Sequence, residues 1–481
     1  MKNSALQIAW SRRDITQPLP VGLCGQFHLR IAEKILDPLS LTALAISNDS
    51  DSFIWVSCDL VDLPADFHPY CRKLLSAKLP GFDASKLILS ATHTHTAPYI
   101  SSQWHAGTFP PELYSPEAYF EFLAQSVVSA AVEAWQNRSL SQVSYGHSYA
   151  VCAHQRRMTY FQDLDEEEQI GEKHQTNAAM YGATNNHNFK GFEGYVDHRI
   201  DFLYTYDLKG QMQGCLVALP CPAQVSEGIS EISADFWHDV RILLQKDFGE
   251  NFQLLPLCCA AGDLAPRQQL QKKCEERMLK LQGINNRQAI AQRIVSALKE
   301  TLQWSQQDKK DSLTLKHYSD KLQLLRRKSS EDEAEKLRRG LQILKSQKED
   351  NMMAESRRIA KIFRTEQALK RHELQKQEKT IQVEHHVLRL GELVFCTFPM
   401  EVFLNYALQI QAQSPALATM LIQLTGSGPN PNGYLASENA EKGGGYSACI
   451  YCSPISAEGG QQMVKRTTEI LNELFANENK N

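Results

Sequence analysis

Two histidines one residue apart open the chemistry of this sequence. His93 and His95 stand in Ser90-Ala91-Thr92-His93-Thr94-His95-Thr96-Ala97-Pro98, directly after the apolar run Lys86-Leu87-Ile88-Leu89. That run reads as a buried strand, and residues two apart on a strand point to the same face. Both imidazoles would then project together from its C-terminal end, with small Thr and Ala neighbours around them and Pro98 ending the strand. Paired imidazoles at a strand mouth suit a metal ion, one as ligand and the other as ligand or proton carrier. The plainer alternative is a polar pair at a loop start. Asp59, at the end of another apolar strand, is read as a helix cap or as a residue that orients a ligand. Gly262, in Ala260-Ala261-Gly262-Asp263, allows a tight turn that could present amides to an anion.

The surrounding elements are those of an α/β chain, a mixed β-sheet core flanked by helices. Residues 42–46 and 53–59 read as buried strands, and 66–79 and 116–136 have helical spacing with apolar core faces. Residues 163–192 are polar and rich in Gly and Asn, and are expected as a long loop over the site, with His174 and His187 as solvated or ligating histidines. A helix starts after Ser233 or Asp235, and residues 268–302 are strongly helical. Leu313–Lys316 and Leu322–Leu325 are expected to flank a hairpin turn. Residues 329–379 are dense in Lys, Arg, Glu and Gln and read as two helices broken near Glu349-Asp350-Asn351, their apolar stripe offering a surface for a homo-oligomer. Residues 381–399 form a hairpin into the core, and 420–426 the last core strand. The expected division is one discontinuous catalytic domain, 1–305 with 380–481, interrupted by a hairpin and charged helical insertion over 306–379.

At 481 residues, 42% hydrophobic and 22% charged, the chain can build a large core. A net charge of −4 and the mixed charge of 329–379 give no reason to expect nucleic acid as partner. No run approaches the ~18 apolar residues of a membrane span, so no membrane partner is expected. The first ten residues lack the apolar core of a signal peptide, which makes a cytoplasmic location the expectation. The 12 cysteines include one adjacent pair, Cys258-Cys259, and one Cys-x-x-Cys, Cys449 and Cys452, too few pairs for a zinc ribbon.

Taken together, several stretches resemble the neutral/alkaline ceramidases, a family of zinc-dependent amidases. Arg13-Asp14-Ile15-Thr16-Gln17-Pro18 is similar to their opening Asp-Ile-Thr-x-Pro, and Ser90–Pro98 to their His-x-His motif. Leu219-Pro220-Cys221-Pro222 matches a strand ending in His-Pro, and Gly262-Asp263-Leu264-Ala265-Pro266 a Gly-Asp-x-Ser-Pro turn. Glu401 falls on their Gly-Glu carboxylate, and Gly433-Tyr434 on their metal-binding Tyr. The resemblance implies Zn²⁺ held by His93, Cys221, Glu401 and Tyr434, with His95 beside the substrate and Arg156 touching its polar groups. Three departures from the family are expected: Cys221 stands for His, as a ligand, as a nucleophile or as neither; Ala265 stands for the Ser of the catalytic centre; and no counterpart of the family's secretion signal and C-terminal immunoglobulin-like domain is read in the sequence.

The implied activity is hydrolysis of an amide or related bond by metal-activated water, with His95, Arg156, Asp263 and Tyr434 in catalytic roles. His95 or Asp263 would carry the proton to the leaving group. The alternatives are carbohydrate-directed cleavage at the same metal, hydrolytic or by elimination, and a degenerate member that acts as a binding protein or scaffold. The substrate is expected to be a small molecule or a saccharide.

Overall fold

In the computed structural model, described over residues 3–104, 109–166, 174–429 and 433–476, two β-sheets face one another and helices cover their outer sides. The larger sheet has eight strands in the order Gln253–Cys258, Met212–Leu219, Arg199–Asp207, Ser139–Tyr149, Gln7–Asp14, Ser40–Ser47, Ser52–Cys58 and Leu87–Ala91. The smaller has four, Leu315–Leu325, Thr380–Leu390, Leu393–Thr397 and Ala418–Ile422. The result is a mixed α/β protein.

The apolar layer between the sheets explains why these segments become strands. Ile8, Leu44, Trp55, Ile88, Leu216 and Leu257 of the large sheet meet Leu388, Phe395, Met420 and Ile422 of the small one. Trp55 packs edge-on against Phe395 with centroids 5.8 Å apart, and its indole N–H donates to Ser90 Oγ at 3.0 Å. A buried aromatic pair of this kind contributes about 0.5–1.5 kcal/mol beyond its burial, and the satisfied N–H removes a desolvation cost. Helices Phe67–Lys78 and Pro116–Gln136 cover one half of the large sheet. Phe236–Phe248 and Asn286–Ser305 cover the other half, while Leu404–Gln413 and Ala457–Phe475 cover the small sheet.

The site lies where parallel strands end. Ser52–Cys58 runs parallel to Leu87–Ala91, Met212–Leu219 to Gln253–Cys258, and Leu393–Thr397 to Ala418–Ile422. Residues after Ile422 stitch the two outer strands of the large sheet together: Gln423 N–H donates to Cys258 O at 3.0 Å, and Ala91 N–H to Leu424 O at 3.3 Å. The carboxyl ends of these strands therefore converge, the usual place for a ligand site in sheets with parallel strands.

Three expectations about elements change. Residues 315–325 form one uninterrupted strand, so the hairpin is made with Thr380–Leu390 and carries the helical insertion at its tip. Nothing in Tyr318-Ser319-Asp320 compels a turn when a full-length partner strand is available. The polar stretch 163–192 is a small three-stranded sheet of Arg157–Glu166, His174–Met180 and Phe189–Phe192, and residues 167–173 lie outside the described chain. The helical stretch 268–302 is two helices, Lys272–Gln282 and Asn286–Ser305, divided by Gly283 in the left-handed region and a capping box at Asn285.

The insertion helices are Glu331–Ser346, started by a capping box at Ser330, and Met352–Leu374, capped by Asn351. They lie on their own chain. Leu337 and Ala368 pack with Ile450 and Tyr451, and Arg371 donates to the carbonyls of both residues. Among the described residues no helix is long and apolar enough to cross a membrane.

Candidate active site

His93 sits beyond the strand rather than on it. Leu87–Ala91 ends two residues earlier, and His93 has φ 67°, a left-handed conformation that a side-chain-bearing residue adopts at a cost. Backbone bonds hold the kink: Thr92 N–H to Cys58 O at 3.0 Å, and Thr94 N–H to Leu60 O at 3.1 Å. Thr94 and Thr96 both donate to Ser233 O at 2.8 Å. The rings of His93 and His95 meet edge-on with centroids 4.8 Å apart, brought together by this kink rather than by strand alternation. Gly25 leaves the room for it. A Cβ there would lie 2.6 Å from His95 Cγ, and its φ of +102° also favours glycine.

Glu401 and Tyr434 lie on the chain that follows the two parallel strands of the smaller sheet, Leu393–Thr397 and Ala418–Ile422. They face each other in a two-residue parallel pairing, Glu401–Val402 with Tyr434–Leu435, and the helix begins only at Leu404. Glu401 is thus held by strand pairing and not, as a first-turn helical residue would be, by a helix dipole. Gly262 packs under it, since a Cβ there would meet Glu401 O at 2.6 Å.

These residues converge on a buried point. His93 Nε2 lies 3.3 Å from Glu401 Oε2 and 3.3 Å from His95 Nε2. The Arg156 guanidinium, 2% exposed, donates to Gly262 O at 2.8 Å, Glu401 Oε2 at 3.3 Å, Tyr434 Oη at 3.4 Å and Gln224 Oε1 at 3.2 Å. Gln224 in turn places its amide nitrogen 2.6 Å from His95 Nε2. Sequence reasoning passed over Gln224; a polar side chain three residues after the Cys-Pro strand end was the available signal.

The hydrogen bonds fix the protons. Gln224 Oε1 accepts from Arg156, so its N–H groups face His95, and His95 Nε2 is an acceptor. His93 Nδ1 donates to Val61 O at 2.7 Å, which leaves the Nε2 of a neutral ring as a lone pair. That lone pair faces a carboxylate oxygen and a second imidazole acceptor. Only a cation or an added proton on His93 satisfies such a cluster. Burial would lower the pKa of His93, but Glu401 outweighs it and holds it above its ordinary value. Burial, with the His93 and Arg30 charges, keeps His95 well below its ordinary value and so neutral.

A divalent metal fits this donor set. Imidazole, carboxylate and phenol oxygen are zinc-type ligands, and a ligating histidine commonly donates its other N–H to a backbone carbonyl, as His93 does to Val61. Among the described residues no group of three or more His, Cys, Asp and Glu is arranged to hold an ion.

Two of the residues singled out by sequence stand apart. Cys221 is buried in the apolar core, its thiol donating to Cys152 O at 3.3 Å, because the chain turns at Leu219–Cys221 and points the side chain inward. Burial pushes its pKa well above the ordinary value, which favours the neutral thiol. Asp263 anchors local structure: Oδ1 accepts from Leu404 N–H at 2.8 Å at the start of a helix, and Oδ2 from Gln155 at 2.9 Å. Its carboxylate thus ties Gln155, the neighbour of Arg156, to the start of the helix that follows Glu401, and burial raises its pKa above the ordinary carboxylate value. Asp59 caps no helix; it forms a buried two-point ion pair with Arg241 (2.7 and 3.1 Å) and accepts from Thr92 Oγ1 at 3.3 Å, bracing the base of the histidine loop.

A cavity of about 260 Å³ opens onto His93, Glu401 and Tyr434. Its walls include Phe27, Asp62, Tyr99, Tyr446 and Tyr451, and its roof is the second insertion helix through Ser356, Ala360, Phe363 and Arg364.

No protein-family model matches the chain, and no curated protein matches it in sequence. Solved structures do match in fold. The neutral ceramidase from Pseudomonas aeruginosa is 14% identical, with a TM-score of 0.66 over 98% of this chain and 74% of that one. A ceramidase complexed with C2 is 13% identical, with a TM-score of 0.67 over 98% of this chain and 76% of that one. At this level of identity the likeness concerns architecture, and the chain has a ceramidase-like fold.

Proposed function

We propose that the chain is a metal-dependent hydrolase that cleaves an amide or related acyl bond. The observation that carries this reading is that Glu401 Oε2 is met by both His93 Nε2 and the buried Arg156 guanidinium, which also reaches the Tyr434 hydroxyl, with His93, Glu401 and Tyr434 lining a cavity. His93, Glu401 and Tyr434 would hold Zn²⁺, which when bound lowers the pKa of water and polarises a carbonyl.

The chain's own residues supply the rest. Arg156, locked by four acceptors, offers fixed positive charge to an oxyanion in a site shielded from water. His95, neutral and oriented by Gln224, is placed to accept a proton and deliver it to the leaving group. Arg30 binds the backbone carbonyls of His95 and Cys24 and so fixes where that imidazole stands. Ala265 carries no hydroxyl, so the attacking oxygen must come from water.

The test is metal analysis combined with a hydrolysis screen on acylated amines. Stoichiometric zinc, lost in His93→Ala and in Glu401→Ala together with turnover, is the expected result. Turnover that survives complete metal removal would sink the proposal.

A further inference from the structure

The hydrolase reading leaves open what the cavity accepts, and the insertion helix bears on it. Ser356, Ala360, Phe363 and Arg364 form one face of Met352–Leu374 and line the cavity. Ser356 is tied to the body by the Leu29 N–H at 3.0 Å. The Arg364 guanidinium carbon lies over Phe27, 3.6 Å from the ring centre, and 5.9 Å from the ring centre of Tyr446. Tyr446 in turn packs edge-on against Tyr434 with centroids 5.7 Å apart. Two ring contacts thus separate Arg364 from the reacting end.

Among the described residues Arg364 has neither an ion-pair nor a hydrogen-bond partner, while Arg156 and Arg30 nearby are each tied to the body by several acceptors. The acids on the cavity wall are occupied differently. Glu401 is paired with His93 and Arg156, and Asp62 accepts from Leu63 N–H at 2.7 Å. A half-buried guanidinium that rests over a ring and lines a cavity without an ion-pair partner among the described residues is suited to read a planar anion in two-point fashion. The aromatic walls suit a flat or branched apolar group, and a space of about 260 Å³ suits a compact molecule rather than one with two long chains.

We propose that the site takes compact N-acyl amino acids, whose carboxylate is bound by Arg364 of the insertion helix while the amide lies at His93, Glu401 and Arg156. This rests on the hydrolase reading and names its substrate class. The insertion is then a specificity element. Hydrolysis adds water across the amide: the C–N bond breaks, hydroxyl joins the acyl carbon, and the amine leaves with the proton.

The test is calorimetric titration of the zinc-supplemented full chain with N-benzoylglycine and with its neutral counterpart, N-benzoylglycinamide. The acid is expected to bind about 10- to 100-fold more tightly. Arg364→Gln erases that difference, and Arg364→Lys, which keeps the charge and the stem but not the fork, restores part of it. A role confined to clasping the helix onto Phe27 would change thermal stability in these variants without changing the acid-to-amide ratio. Equal binding of the two probes to the wild-type chain overturns the proposal. So does a preference that survives Arg364→Gln, since the carboxylate would then sit on Arg156 or on the metal. Binding of the acid through Arg364 without any turnover defeats the hydrolase reading instead, and turnover of neutral amides without acid preference defeats only the assignment to Arg364.

Discussion

Glu401 and Tyr434 face each other across a parallel pairing only two residues long, and Arg156 touches both, at 3.3 and 3.4 Å. The pairing lets two loops from the small sheet act as one rigid wall opposite the histidine loop of the large sheet. A carboxylate and a phenol held in this way need no helix to aim them.

Metal content should follow that wall and not the cysteine. Glu401→Ala and Tyr434→Phe are expected to lower zinc occupancy, whereas Cys221→Ser keeps it at the wild-type level. Elemental analysis of the three purified variants decides the point, and zinc loss in Cys221→Ser would return the thiol to the ligand set.

Arg156→Lys keeps the charge but cannot reach Gly262 O, Gln224, Glu401 and Tyr434 together. A loss on the order of 10²–10³ in kcat is expected, the scale of one oxyanion donor. Steady-state kinetics on any accepted amide measures it; an unchanged kcat with a raised KM would mean that Arg156 only binds.

The brace under the histidine loop is costly to break. Asp59→Ala leaves the buried Arg241 without its counter-charge, which typically destabilises by about 3–5 kcal/mol. Urea denaturation should register this as a lower midpoint.

Gly25→Ala tests the space beside His95. The new methyl would sit 2.6 Å from His95 Cγ at a φ of +102°, so both strain and displacement are expected. Stability should fall by at least about 1 kcal/mol, with activity falling further than stability explains.

Acid should unfold the protein early. His68 and His385 are buried, and burial holds each pKa at about 3, whereas the unfolded side chains titrate near 6.5. Between those values the unfolded chain binds more protons, so stability falls as pH drops from about 6.5 toward about 3. Burial opposes the charge on Glu384, but His386 and Arg72 outweigh it and hold its carboxyl below the ordinary 4.5. Its contribution is present above 4.5 and is lost as pH falls further. Thermal unfolding between about pH 8 and pH 4 should show the slope. His68→Leu should flatten it, since neither ring nitrogen of His68 has a partner among the described residues.

Periodicity along the chain was enough to give the α/β class, the helices at 67–78 and 116–136, and the two charged helices with their break near 349–351. The spacing of the histidines pointed to His93 and His95, and the resemblance to the ceramidases to Arg156, Glu401 and Tyr434. Side-chain direction is not written in a motif. Whether Cys221 faces the site or the core depended on how the chain turned at Leu219, and which groups Asp263 meets depended on the packing of Leu404 and Gln155 against it. Gln224 and Arg364 matter only because folding sets one against His95 and the other over Phe27. Local sequence fixes which faces are apolar and which groups are reactive; their meeting depends on long-range packing of two sheets, and tertiary structure alone decides it.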